Sequence, residues 1–140
     1  MKIYMASHIK HARRWIDLRP KLYPRVTIVS TWIDFLKDGE VNCTPEVLKE
    51  SWDNNVKDII ICDILLLYAE PGEPPRGAAF EAGIAYAMGK PILHIGDRPA
   101  LGTMGCCFEY FETLDQCLKI LASEQEIQDV INSRGSTARN

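Results

Sequence analysis

The chain has 140 residues, enough for one ordinary hydrophobic core and too few for two comfortable domains. Its 46% hydrophobic and 25% charged residues match globular averages, which argues against disorder and fibrous repeats. A formal net charge of −3 disfavours a general binder of nucleic-acid polymers, because neutralising phosphates takes a basic surface.

The apolar opening, Met1 to Ala6, is too short for a secretory signal, and no stretch reaches the ~18 apolar residues of a membrane span. A cytoplasmic protein with no membrane partner is expected. The cysteines, Cys43, Cys62, Cys106, Cys107 and Cys117, are odd in number and show neither a C-x-x-C pair nor zinc-ligand spacing. Reduced thiols are expected, with no metal and no organic cofactor.

Lys2 to Ala6 reads as a first strand, followed by a polar loop. From His11 to Tyr23 the apolar Trp15, Ile16, Leu18 and Leu22 recur near helical spacing, and Pro24 stops that helix. Val26 to Trp32 is β-branched and apolar, a second strand, and Asp38-Gly39 is a turn signal. Thr44-Pro45-Glu46 predicts an N-cap with proline in the first turn, opening a helix through about Val56. Asp63 to Tyr68, with a possible start at Ile59, reads as a strand buried on both faces. Three prolines and two glycines make Ala69 to Gly77 a loop. Ala78 to Met88 reads as a helix of small residues closed by Gly89. Ile92 to Gly96 is a fourth strand, Asp97 to Gly105 a loop, Phe108 to Phe111 a short fifth strand and Thr113 to Ala122 a last helix. A flexible tail, residues 132–140, is expected beyond one domain of residues 1–131.

This alternation predicts an α/β fold: a three-layer α/β/α sandwich with a parallel, flavodoxin- or Rossmann-like sheet of about five strands. Sites in such sheets lie beyond the carboxyl ends of the strands, which selects the loops after Tyr4, Trp32, Tyr68 and Ile95.

The sharpest signal is Arg76-Gly77-Ala78-Ala79-Phe80-Glu81-Ala82-Gly83, running on to Gly89-Lys90-Pro91, with Cys62-Asp63-Ile64-Leu65-Leu66-Leu67-Tyr68 before it. An aspartate opening a buried strand, a loop, then glycine, glutamate and glycine on a helix leading to Gly-Lys-Pro resembles the nucleoside 2-deoxyribosyltransferase family, whose relatives include nucleoside 5'-monophosphate glycosidases. The resemblance covers roughly the first hundred residues. It implies cleavage or transfer of an N-glycosidic bond of a nucleoside or nucleotide, with Glu81 as nucleophile, Asp63 organising the site and Tyr4 orienting the nucleophile. It also implies a homodimer or higher homo-oligomer.

Elementary chemistry supports the first role. The helix dipole is expected to keep a carboxylate near the start of a helix ionised, and an ionised carboxylate can attack an anomeric carbon. The uncharged neighbours of Glu81 set it apart from an ordinary solvated helix face. Asp63 has a second reading, as a cap of local amides, and Tyr4 a second reading, as core.

Ser7, His8, Ile9 and Lys10 stand where the monophosphate glycosidases place a glycine-containing phosphate loop, but no glycine is present. His8, Lys10, Arg13 and Arg14 are candidates to hold a 5'-phosphate; a solvated basic helix face is the other reading. Family members carry aspartate or serine six residues before the nucleophile, where this chain has Pro75. That contact is either missing or supplied by Glu70, Glu73 or Arg76, with Gly77 beside them. Trp32 and Asp34 follow the second strand, and Trp32 is either a stacking face for a base or packing. A catalytically inactive nucleotide-binding or sensing domain of the same fold is the alternative. A receiver-type signalling domain lacks support, because His8, Lys10 and His11 replace its acidic cluster.

Overall fold

The computed structural model describes residues 1–36, 44–96, 107 and 109–123. Five strands, β1 (Lys2–Ala6), β2 (Thr27–Ile28), β3 (Ile64–Ala69), β4 (Ile92–Gly96) and β5 (Glu109–Phe111), form one parallel sheet in the order β2-β1-β3-β4-β5. This is the flavodoxin-type doubly wound order, which reverses direction between β1 and β3. The helices are α1 (Ala12–Leu22), α2 (Pro45–Ile61), α3 (Arg76–Ala87) and α4 (Leu114–Leu121).

Strand register assigns the two faces. Tyr4 pairs with Leu65, and both lie on the face covered by α2 and α3. Tyr68, three positions further along β3, turns to the other face, where its ring meets Trp15 of α1 edge-on at 5.1 Å. α4 shares that side, with Leu114 beside Leu18 of α1. Every residue of β3 is buried, which is why its sequence is continuously apolar instead of alternating.

The second strand is much shorter than its sequence suggests. Val29 N still donates to Ile3 O at 2.9 Å, but beyond it side chains take over the pairing with β1. Met5 N donates to Ser30 Oγ at 2.6 Å, and Trp32 Nε1 donates to Met5 O at 2.8 Å. The β1 backbone is thus satisfied without a strand, and Thr31–Leu36 winds into a 3-10 helix instead.

α2 is longer than expected. Ile59, Ile60 and Ile61 look strand-like in isolation, yet they complete the helix that Thr44 opens by accepting from Val47 N. Their burial follows helical spacing: Asn55, Asp58 and Ile59 are inside, Ile60 and Ile61 outside. The α2 terminus is held by Lys90, whose Nζ donates to Ile60 O at 2.8 Å and Cys62 O at 2.7 Å.

α3 starts at Arg76, two residues earlier than its sequence pattern indicates. It ends as expected, with Gly89 at φ +70, Gly89 N donating to Tyr86 O and Lys90 N to Ala85 O. Gly96 closes β4 at φ +98, and a Cβ there would stand 2.0 Å from Ala69 O. No helix among the described residues is long and apolar enough to cross a membrane. The Asp38-Gly39 turn, the loop from Asp97 to Gly105, Phe108 and the tail from residue 132 lie outside the described residues.

Candidate active site

α3 carries a stripe of small residues, Ala78, Ala82 and Ala85, that is buried against the sheet, and Glu81 lies on the same stripe. Small neighbours let the helix sit close, so the glutamate is only 7% exposed. Its Oε1 accepts from Asn55 Nδ2 of α2 at 3.2 Å. Tyr4, wholly buried in β1, brings its hydroxyl near enough to couple electrostatically to the carboxylate. That hydroxyl nevertheless has no hydrogen-bond partner of settled geometry among the described residues.

Burial pushes the Glu81 carboxyl up to about 8, with the Tyr4 hydroxyl pulling the other way. Burial, and then the Glu81 charge, push the Tyr4 hydroxyl up as well. Burial therefore works against the helix dipole at Glu81. Glu81 is in the second turn of α3, where the dipole's influence has fallen off, and desolvation wins.

Asp63 is not brought to this carboxyl. It is exposed at the amino-terminal margin of the sheet, where its Oδ2 accepts from Lys2 N at 2.7 Å and its N donates to Lys2 O at 2.8 Å. Its carboxylate thus caps an amide, but a distant one on the neighbouring strand β1 and not a local one. Two polar residues that no motif singles out, Asn55 and Asp58, point inward from α2 instead. Asp58 Oδ2 accepts from Thr31 N and Thr31 Oγ1, and its charge adds to the upward push on Tyr4. Their signal in sequence is spacing: Asn55, Asp58 and Ile59 fall on one helical stripe.

Trp32 and Asp34 serve the scaffold. The Trp32 ring is buried with its indole tied to Met5 O, and Asp34 accepts from Arg19 Nη1 at 3.0 Å. In the loop after β1, Ser7 Oγ accepts from Trp15 Nε1 at 2.8 Å and His8 Nδ1 accepts from Lys10 N at 3.1 Å, while Ile9 is exposed.

Three of the four basic residues expected to meet a phosphate, Lys10, Arg13 and Arg14, already have carboxylate partners. Lys10 pairs with Glu73 and stands 3.9 Å from Glu70, Arg14 stands 3.8 Å from Glu70, and Arg13 pairs with Asp17 at 3.2 Å. Glu73, with its side chain 10% exposed, also lies 3.0 Å from His11 Nε2 and accepts from Glu70 N at 3.0 Å. Burial raises its carboxyl, but Lys10, the Glu70 N–H and His11 outweigh that and hold it down to about 2. His11, Glu70 and Glu73 have the spacing to hold a metal ion, but the Lys10 ammonium already pairs with Glu73, and Lys10 and Arg14 both stand near Glu70.

Arg76 begins α3 in the left-handed region at φ +36 and is exposed, as is Gly77, where a Cβ would meet nothing within 4 Å. Pro75 offers no side-chain cap to this helix. A cleft of about 210 Å³ beyond the ends of β3 and β4 is lined by Arg14, Tyr68, Glu70, Gly96 and Leu114, among others; Glu81 does not line it.

The fold is similar to two solved enzymes. The 2-deoxyribosyltransferase of Bacillus psychrosaccharolyticus superposes with a TM-score of 0.67 at 23% identity, over 84% of this chain and 90% of that one. A CMP N-glycosidase of Clostridium botulinum superposes with a TM-score of 0.50 at 14% identity, over 93% of this chain and 98% of that one. No curated protein matches the chain in sequence. The model of the family described as Nucleoside 2-deoxyribosyltransferase matches residues 3–118, and the chain therefore belongs to that family.

Proposed function

We propose that this protein cleaves or transfers the N-glycosidic bond of a nucleoside or nucleoside 5'-monophosphate, with a 2'-deoxy sugar, through a covalent glycosyl-Glu81 intermediate. The observation that carries this reading is the Glu81 carboxyl, buried on α3 between Tyr4 and Asn55 in a chain of this family. The ionised carboxylate attacks C1', a C–O bond forms, and the C1'–N bond breaks with its electron pair going to the base, which takes up a proton. Water or a second base then attacks C1' from the opposite face and releases Glu81, so configuration is retained overall. Both similar enzymes act on this bond type by name, one as a deoxyribosyltransferase and one as a CMP N-glycosidase.

The test is incubation with deoxynucleosides and their 5'-monophosphates while free base is followed by chromatography. Glu81→Ala is expected to lose base release by at least about a thousandfold, the scale of losing a covalent route. Unchanged turnover in that variant would end the nucleophile assignment. Adding a competing base separates transfer from hydrolysis. The carboxylate route calls for no metal or organic cofactor, so activity is expected to survive a chelator. A cytoplasmic location belongs to the same reading.

A homo-oligomer is part of the proposal too. Phe80, 73% exposed, meets the partly exposed Trp52 edge-on at 6.3 Å, an aromatic pair on the outer faces of α2 and α3 that a second copy would cover. Sedimentation is expected to show at least a dimer, and Phe80→Asp to shift it toward monomer.

Pro75 and the raised Glu81 carboxyl favour the second reading, a nucleotide-binding or sensing domain without turnover. Saturable nucleotide binding with no base released on long incubation would select it.

A further inference from the structure

Two groups reach the Glu81 carboxyl from outside its own helix, Tyr4 from β1 and Asn55 from α2. Asn55 is itself 7% exposed, and only one end of its amide is used. Nδ2 donates to Glu81 Oε1, while Oδ1 is buried without a hydrogen-bond partner among the described residues. Buried polar atoms are ordinarily paired, so a half-used amide beside a titrating carboxyl calls for a reason.

The chemistry of the amide supplies one. A carboxylate only accepts hydrogen bonds, whereas a protonated carboxyl also donates. A carboxamide carries a donor and an acceptor on one flat group, so a half-turn about its last bond suits it to either state. Neither an aspartate nor an aliphatic side chain of this size can do both.

We propose that Asn55 is a positioning residue for Glu81: its N–H pins Oε1 of the ionised form, leaving Oε2 free for the anomeric carbon, and its carbonyl accepts the proton of the neutral form after the amide turns. The inference rests on the reading of Glu81 as nucleophile and adds a residue that decides how much of it is poised. The rest of the α2 face is already committed, because Asp58 is spent on Thr31.

The experiment is a titration of the Glu81 side-chain carboxyl by carbon-13 NMR, with the resonance identified by its loss in Glu81→Gln. Asn55→Leu keeps the volume and removes both donor and acceptor; because the charge-assisted bond to the ionised form is the stronger of the two, the Glu81 midpoint is expected to rise by about one pH unit. In Asn55→Asp, which keeps the shape and adds a like charge, it is expected to rise by about two units or more. In base release, kcat is expected to fall about tenfold or more in Asn55→Leu with KM changed less than about twofold, and the acidic limb to move up with the midpoint. A purely structural asparagine would lower the melting temperature and leave the Glu81 midpoint where it is. An unchanged midpoint in folded Asn55→Leu overturns the proposal; should that variant not fold, an unchanged midpoint in Asn55→Asp overturns it equally. The titration needs no turnover, so wild-type protein that releases no base defeats the nucleophile reading while the NMR result still decides whether Asn55 governs the charge on Glu81.

Discussion

Glu81 ties stability and chemistry to opposite ends of one proton equilibrium. Its carboxyl is raised from the ordinary 4.5 to about 8, so the folded protein holds this proton more tightly than the unfolded chain does. The stability from this group is fully present below about pH 4.5 and is lost as pH rises through 8. Glu81→Gln keeps the shape and never ionises. It is expected to melt above wild type at pH 8 to 9, with the gap closing toward pH 4.5, as thermal melts across pH would show. Base release needs the other state and is expected to climb through pH 8 in kcat/KM.

Residue roles were unevenly legible. Glu81 is buried beside Tyr4: small uncharged neighbours suit a buried glutamate, and the third position of β1 lies on the face covered by α2 and α3. Asp63 misled because an aspartate opening a strand looks the same whether it caps an amide or serves a site. Asn55 was missed because Asp53-Asn54-Asn55 reads as a polar surface, and only the packing of α2 on α3 decides which of the three turns inward.

Among the elements, the strand edge beside β1 shows how side chains can replace a ladder. Trp32 donates its indole N–H to a buried carbonyl, so Trp32→Phe keeps most of the ring packing and leaves Met5 O with only the long 3.5 Å bond from Ser30 Oγ. The expected cost is about 1–3 kcal/mol, readable as a lower denaturation midpoint with an unchanged slope. Local propensity could not foresee the short β2, since Val26 to Trp32 has every local mark of a strand and the competing partners are tertiary. The same holds for Ile59 to Ile61, where a helix already under way overrides β-branched preference. By contrast β4 and the Gly89 stop were readable because an apolar run bounded by proline and glycine leaves few alternatives, and β1 because its apolar run gives way at once to a polar loop.

Across the whole molecule, the alternation of apolar runs and amphipathic segments was enough to give the layers and the parallel sheet, and the right-handed crossover rule does the rest. What it could not give is how the loops after β1 and β3 are joined. Lys10 and His11 from one loop and Glu70 and Glu73 from the other form an ion-pair strap across the carboxyl end of the sheet. Glu73 is depressed to about 2, so its contribution is present above about pH 4.5 and is lost as pH falls through 2. Glu73→Gln is expected to lower the melting temperature by a few degrees at pH 7, on the scale of roughly 1 kcal/mol for a domain of this size, and to differ little from wild type near pH 2.

The two outer strands of the sheet are two and three residues long. Among the described residues, an extended segment from another molecule would find few open amides and carbonyls to zip onto at either margin. Fibril growth and strand exchange are thus disfavoured by the same brevity that Ser30 and Trp32 impose on β2, and self-association is left to the helical faces.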